Sequence, residues 1–206
     1  MRLSRLLPPA ALALAAAGLA ACADTAPTAA PAAAPAAPSL ATVSYAADTT
    51  ITKFTYEYRL GTTQQLGHHK IVLPALSVCD PATAGYGPDT WDAPCTALRS
   101  NLEVTALTWT KADGHPQVQF LPDLRFVPTT DSRQYVKLFF KDKDASSATL
   151  AAALKIDWVP YLGAAPVDES ADPTLKVQVS PEAGTVWRRV KHFSGYSVGV
   201  GREGEY

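Results

Sequence analysis

Leu175-Lys176-Val177-Gln178-Val179-Ser180 is the stretch whose pattern decides the fold. Leu175, Val177 and Val179 alternate with Lys176, Gln178 and Ser180, a period of two that puts apolar side chains on one face of an extended chain and polar ones on the other. After the turn signal Ala183-Gly184 the same period returns at Val186, Arg188 and Val190, and again at Tyr196, Val198 and Val200. Upstream, residues 102–110 set Leu102, Val104, Ala106 and Thr108 against Glu103, Thr105, Leu107 and Trp109. Further strands are expected at 51–58, 69–73 (ended by Pro74), 118–120, 124–127, 135–140 and 156–159. One helical candidate, the Ala-rich run 145–154, interrupts them. Short strands separated by Gly and Pro turns such as Asp113-Gly114, with no βαβ alternation, predict an all-β chain folded as an antiparallel β-sandwich over residues 46–201.

Two loops break the strand rhythm. Residues 78–97 are bracketed by Cys79 and Cys95 and hold Asp80, Tyr86, Asp89, Trp91 and Asp92. Hard cations take carboxylate oxygens, but the aspartate spacing fits no calcium-loop signature, so these read as solvated turn residues. Residues 162–172 carry Asp168-Glu169, whose adjacent carboxylates point apart on an extended chain and make a poor acid/base pair. His68 and His69 face opposite ways on a strand. His115, in the turn Asp113-Gly114-His115-Pro116, is expected to be exposed. No metal site and no cofactor are expected from these residues. Trp91, Trp109, Trp158 and Trp187 are either core or an aromatic face for a sugar or peptide.

The N-terminus has its own grammar. Arg2 and Arg5 precede an apolar run from Leu6 to Leu19, the layout of a secretory signal and too short for a comfortable span. The run ends Leu19-Ala20-Ala21-Cys22, which resembles the lipobox of bacterial lipoproteins. That resemblance implies a signal peptide over 1–21, lipid on Cys22 and several acyl chains, which hold a membrane where one does not. Ala23 follows, where Asp would retain a Gram-negative lipoprotein in the inner membrane, so the outer membrane is favoured. From 22 to 45 the chain is mostly Ala, Pro and Thr, with Pro27, Pro31, Pro35 and Pro38 preventing helix, and it reads as an extended tether. Residues 202–206 form a short tail.

Composition closes off several classes. Net charge is −1, with no basic block to serve as a nucleic-acid footprint. Of three cysteines, lipidation of Cys22 leaves Cys79 and Cys95 as a pair in an exported protein, which predicts a disulfide. There is no Gly-x-Ser-x-Gly elbow and no phosphate-cradling glycine loop.

The region from His69 to Val200 resembles the β-sandwich domain shared by zonula occludens proteins, ankyrins and netrin receptors. The residues that carry the resemblance are His69-Lys70-Ile71-Val72-Leu73-Pro74, Pro122-Asp123-Leu124-Arg125-Phe126, Lys155-Ile156-Asp157-Trp158-Val159-Pro160 and, above all, His192-Phe193-Ser194. The cysteine-bracketed loop is an insertion relative to that family. In some of its relatives His-Phe-Ser marks self-cleavage, which would make Ser194 the nucleophile, His192 the base and Phe193–Ser194 the broken bond. The competing reading is a tight bend in which His192 hydrogen-bonds locally, Phe193 plugs the core and Gly195 permits the turn. The favoured function is a non-enzymatic structural or binding module, anchored to the membrane through Cys22, with an envelope protein or glycan as partner and no nucleic acid.

Overall fold

The chain divides into units spanning residues 1–43 and 44–206, and a computed structural model describes residues 48–201, all within the second. The expected signal peptide, Cys22, the expected Ala/Pro tether and the expected tail lie outside the described residues.

Ten strands make up the described domain: β1 Thr50–Tyr56, β2 Thr62–Leu66, β3 His69–Leu73, β4 Leu102–Thr110, β5 Pro116–Arg125, β6 Lys137–Lys141, β7 Leu154–Val159, β8 Gln178–Ser180, β9 Thr185–Arg189 and β10 His192–Val200. They form two five-stranded antiparallel sheets, ordered β1-β4-β5-β10-β7 and β2-β3-β6-β9-β8. The all-β sandwich expected from the period-two pattern is what the chain forms. Inward-facing residues supply the core between the sheets, with Tyr56, Val104, Ala106, Phe120, Tyr196 and Val198 from one and Ile71, Leu73, Leu138, Phe140 and Val186 from the other. Burying such side chains contributes roughly 1.5–3 kcal/mol each and is the main force closing the sandwich.

Several boundaries differ from the sequence reading, each for a local reason. The stretch 175–180 is strand only from Gln178. Before it Pro173–Leu175 is a 3-10 turn, set by the fixed φ of Pro173 and by Asp172, whose carboxylate accepts the Thr174 N–H at 2.8 Å. Residues 118–120 and 124–127 fuse largely into one strand, β5, whose ladder with β4 ends at Leu121, next to a cis Leu121–Pro122 bond. β2 has no counterpart in the reading, because Thr62-Thr63-Gln64-Gln65 offers no apolar alternation. The Ala-rich run 145–154 is not a helix. It forms turns and a 3-10 segment at Ala151–Ala153, and Leu154 is drawn into β7.

Cys79 and Cys95 are bonded, with Cα atoms 5.8 Å apart. Cys79 also makes an isolated bridge to Ala97, and Val78 one to Phe126, so the neck of the long loop is stitched to the sandwich by main chain as well as by sulfur.

A polar cluster sealed at the head of β10

β10 opens with His192-Phe193-Ser194, and the expected tight bend is absent: these residues run straight into the strand. What is unusual is the ladder around Ser194. Phe193 pairs with Leu124 of β5 and Gly195 with Gln119, so Ser194 alone stands opposite four β5 residues. The β7 ladder begins only at Gly195. Gly195 serves close approach rather than a turn, since a Cβ there would lie 2.7 Å from the Val159 carbonyl oxygen. Phe193 does fill the core, stacking on Phe120 at 4.3 Å and meeting Phe126 edge-on.

His192 and Ser194 are wholly buried, so every polar atom here needs an internal partner. His192 Nε2 lies 3.3 Å from Glu169 Oε1, and Glu169 is also ion-paired with Arg188. Arg188 donates its second arm to the Ile156 carbonyl at 2.6 Å and covers the Tyr196 ring. Burial drives the His192 imidazole below its ordinary pKa, against the pull of the Glu169 carboxylate. Burial raises Glu169, but the His192 hydrogen bond and the Arg188 charge outweigh it and keep its pKa below the usual value. The consistent state is a neutral imidazole with Nε2–H donating to the Glu169 carboxylate. That leaves Nδ1 as an acceptor, 3.4 Å from Ser194 Oγ and 3.2 Å from the Tyr196 hydroxyl, which donates to the His192 carbonyl at 2.8 Å.

Ser194 Oγ accepts the Trp158 indole N–H at 2.6 Å, and the Tyr86 hydroxyl donates to the Phe193 carbonyl at 2.5 Å. Burial raises the Tyr86 phenol, which keeps its proton and remains a donor. The loop between the cysteines roofs this cluster. Trp91 stacks on His192 at 3.8 Å, Arg125 donates to the Thr90 and Ala93 carbonyls, and Lys191 holds Asp92 at 2.7 Å. The staple therefore does more than close a long loop, since it also pins Tyr86 and Trp91 over the head of β10.

The other residues singled out in the sequence fall as follows. His115 is buried rather than exposed, because Asp142 and Asp144 supply the polar partners its turn lacks. Nδ1 is 2.8 Å from Asp142 and Nε2 3.7 Å from Asp144. These three place one ligand atom each within 4.8 Å of one another, a mixed nitrogen and oxygen donor set open to a transition metal. As placed, both ring nitrogens already face carboxylates, and the trio acts as a brace between the β4–β5 turn and the loop after β6. His68 lies exposed in the turn before β3. His69 opens β3, accepts the Lys141 N–H at 3.1 Å and meets the Phe140 ring edge. Asp80 caps its own turn through the Ala82 N–H. Trp91 and Trp158 are spent on His192, while Trp187 stands on the outer face of its sheet beside Phe139.

Glu169 is the residue the sequence reading discards and the structure needs. Asp168 turns back to cap the Ser170 N–H at 2.7 Å, and its neighbour points inward, as alternation requires. A signal for it existed: Arg188 sits between Val186 and Val190 on an apolar face, and a buried guanidinium demands a carboxylate.

In comparisons with known protein families, curated proteins and solved structures, nothing matches this chain.

The depressed histidines set a pH dependence. Burial, with the neighbouring His68 charge second, takes His69 from 6.5 to about 4, and His192 shifts the same way. Above 6.5 neither state of the protein binds these protons. Below it the unfolded chain takes up protons that the folded one refuses, so stability falls from about pH 6.5 toward pH 4, by up to about 1.4 kcal/mol per pH unit for each histidine. Urea unfolding at about pH 7, 5.5 and 4.5 checks this. The unfolding free energy should drop at each step, and His69→Gln should remove part of the slope. A flat profile contradicts the assignment.

Proposed function

We propose that this protein is an exported, lipid-anchored β-sandwich that works as a non-enzymatic binding or structural module at the bacterial cell envelope, on the outer membrane in preference to the inner. The supports are the Leu19–Cys22 lipobox pattern, the Ala/Pro tether and the sandwich that follows. The single observation that carries export is the bonded Cys79–Cys95 pair, since such bonds persist in oxidising compartments and are rare in the cytosol. The chemistry-bearing residues of β10 are consistent with a structural role, because His192 and Ser194 are fully enclosed and each polar contact they make serves to satisfy a buried neighbour. Labelled palmitate fed to expressing bacteria should enter the wild-type chain and be lost in Cys22→Ala, which should leave the membrane fraction. Unlabelled wild type, or Cys22→Ala fractionating like its parent, contradicts the reading.

One observation favours a second reading, self-cleavage at Phe193–Ser194. The Tyr86 hydroxyl polarises the Phe193 carbonyl, and the acceptor nitrogen of His192 faces Ser194 Oγ. In that reaction Oγ adds to the Phe193 carbonyl carbon while its proton passes to His192 Nδ1. The C–N bond then breaks, the proton goes to the departing Ser194 nitrogen, and an ester results that water must hydrolyse. Burial keeps the groups aligned but also excludes that water. On a denaturing gel the leading reading predicts one full-length mature chain for wild type and for Ser194→Ala. Two fragments meeting at Phe193–Ser194, in wild type alone, would establish self-cleavage instead.

A further inference from the structure

We propose that the outer face of the β2-β3-β6-β9-β8 sheet is the binding surface of this module and that its occupant is an acidic polysaccharide. The inference rests on the reading of the protein as an envelope binding module and gives that module a ligand class.

Strand register assembles the face from residues far apart in sequence. Gln65, Lys70, Phe139, Trp187 and Gln178 form one row crossing all five strands. Beside it runs Thr63, Val72, Lys137 and Arg189, and on the other side Lys141, Thr185 and Ser180. Every outward strand position is therefore neutral or basic, with Lys70, Lys137, Lys141 and Arg189 and no carboxylate, in a chain whose net charge is −1. Several cations elsewhere are matched: Lys111, Arg133, Lys155 and Lys191 each meet an aspartate. Among the described residues, none of the four on this face has an ion-pair partner.

Lys141 and the buried Arg189 donate to the Ala183 and Thr129 carbonyls, while Lys70 and Lys137 are held in place by rings. Phe139 and Trp187 stack with centroids 5.4 Å apart, Lys70 Nζ sits 4.5 Å above Phe139, and Lys137 Nζ lies 5.7 Å from Trp187. A cation–π contact positions an ammonium for about 0.5–1 kcal/mol at an exposed site without neutralising it. The charge stays free for an anion, and the half-buried rings offer apolar surface for the C–H faces of a sugar. Hollows flank the row. One of about 350 Å³ is lined by Gln65, Lys70, Phe139, Ser180 and Thr185. One of about 490 Å³ is lined by Thr129, Thr130, Thr174, Arg189 and Lys191, where Asp92 is spent on Lys191. β9 joins them, from Thr185 in the first to Arg189 in the second, about 13 Å along the strand. Hydroxyl groups at both ends, cations along the row and a length beyond any single sugar suit a linear chain of sugars carrying carboxylates. Single-stranded nucleic acid also combines charge with stackable rings. The exported reading favours the glycan.

The test is native gel electrophoresis of the detergent-solubilised mature protein with polygalacturonate, neutral dextran or neither in the matrix, with a parallel titration by oligodeoxythymidylate. Polygalacturonate should retard the protein and dextran should not. Lys70→Gln/Lys137→Gln, which leaves the core untouched, should weaken the apparent affinity at least about tenfold by removing two charge-assisted contacts. Trp187→Ala, checked by thermal melting to be folded, should weaken it as well. The inference is overturned if polygalacturonate has no effect, if the double variant is retarded like wild type, or if the oligonucleotide binds more tightly than polygalacturonate. Anchoring is read separately by fatty-acid labelling at Cys22. Loss of binding in a labelled protein fails this inference alone, and a soluble chain that still binds fails the anchoring alone.

Discussion

A guanidinium in the middle of a β-sandwich is the constraint on which this structure turns. Arg188 leaves β9 on the apolar side, crosses the gap between the sheets and reaches the Ile156 carbonyl of β7. A charge so placed costs several kcal/mol unless its partners are supplied with good geometry. Glu169 supplies the counter-charge, so the long connection between β7 and β8 is bound to come back over the sandwich rather than wander in solvent. Glu169 then fixes the tautomer of His192, and through it the hydrogen bonds of Ser194 and Tyr196. One buried ion pair thereby sets the conformation of a loop, the protonation of an imidazole and the packing at the head of β10.

The roof over that cluster follows the same logic. With Ser194 in a gap of both neighbouring ladders, the strand offers a local opening that water would otherwise fill. Trp91 and Tyr86 cover it, and they hold their places because the loop carrying them is bonded at its neck through Cys79 and Cys95 and tied at its crest by Arg125 and Lys191. The outer face of the β2-β3-β6-β9-β8 sheet is built on a contrary principle. There, cations are left without carboxylates and are steadied by aromatic rings and main-chain carbonyls. One end of the sandwich is closed around its buried ion pair, while an outer sheet face is open and electrically unbalanced.

Much of the fold was legible in the sequence because it is carried by a local pattern. Strands with apolar alternation, such as 102–110, declare themselves within a few residues. β2 does not, since its pairing with β3 depends on tertiary context rather than on its own polar residues. The site was half legible. His192-Phe193-Ser194 stands out as a tripeptide, yet its partners Tyr86, Trp91, Trp158 and Glu169 come from loops and strands up to 107 residues away, joined by register and by the disulfide. Adjacent carboxylates at 168 and 169 looked like a poor pair, and they are. The alternation that separates them is what delivers Glu169 to the core. The row Gln65, Lys70, Phe139, Trp187 and Gln178 exists only once four strand pairings are known, so no linear reading reaches it.

The most direct measurement is a double-mutant cycle on Arg188 and Glu169, with unfolding free energies from urea titration of wild type, Arg188→Met, Glu169→Leu and the double variant. If the ion pair governs the core, each single change leaves an uncompensated buried charge and costs about 3–5 kcal/mol, and the double change costs no more than either alone. Single losses that add, to within about 0.5 kcal/mol, would contradict it.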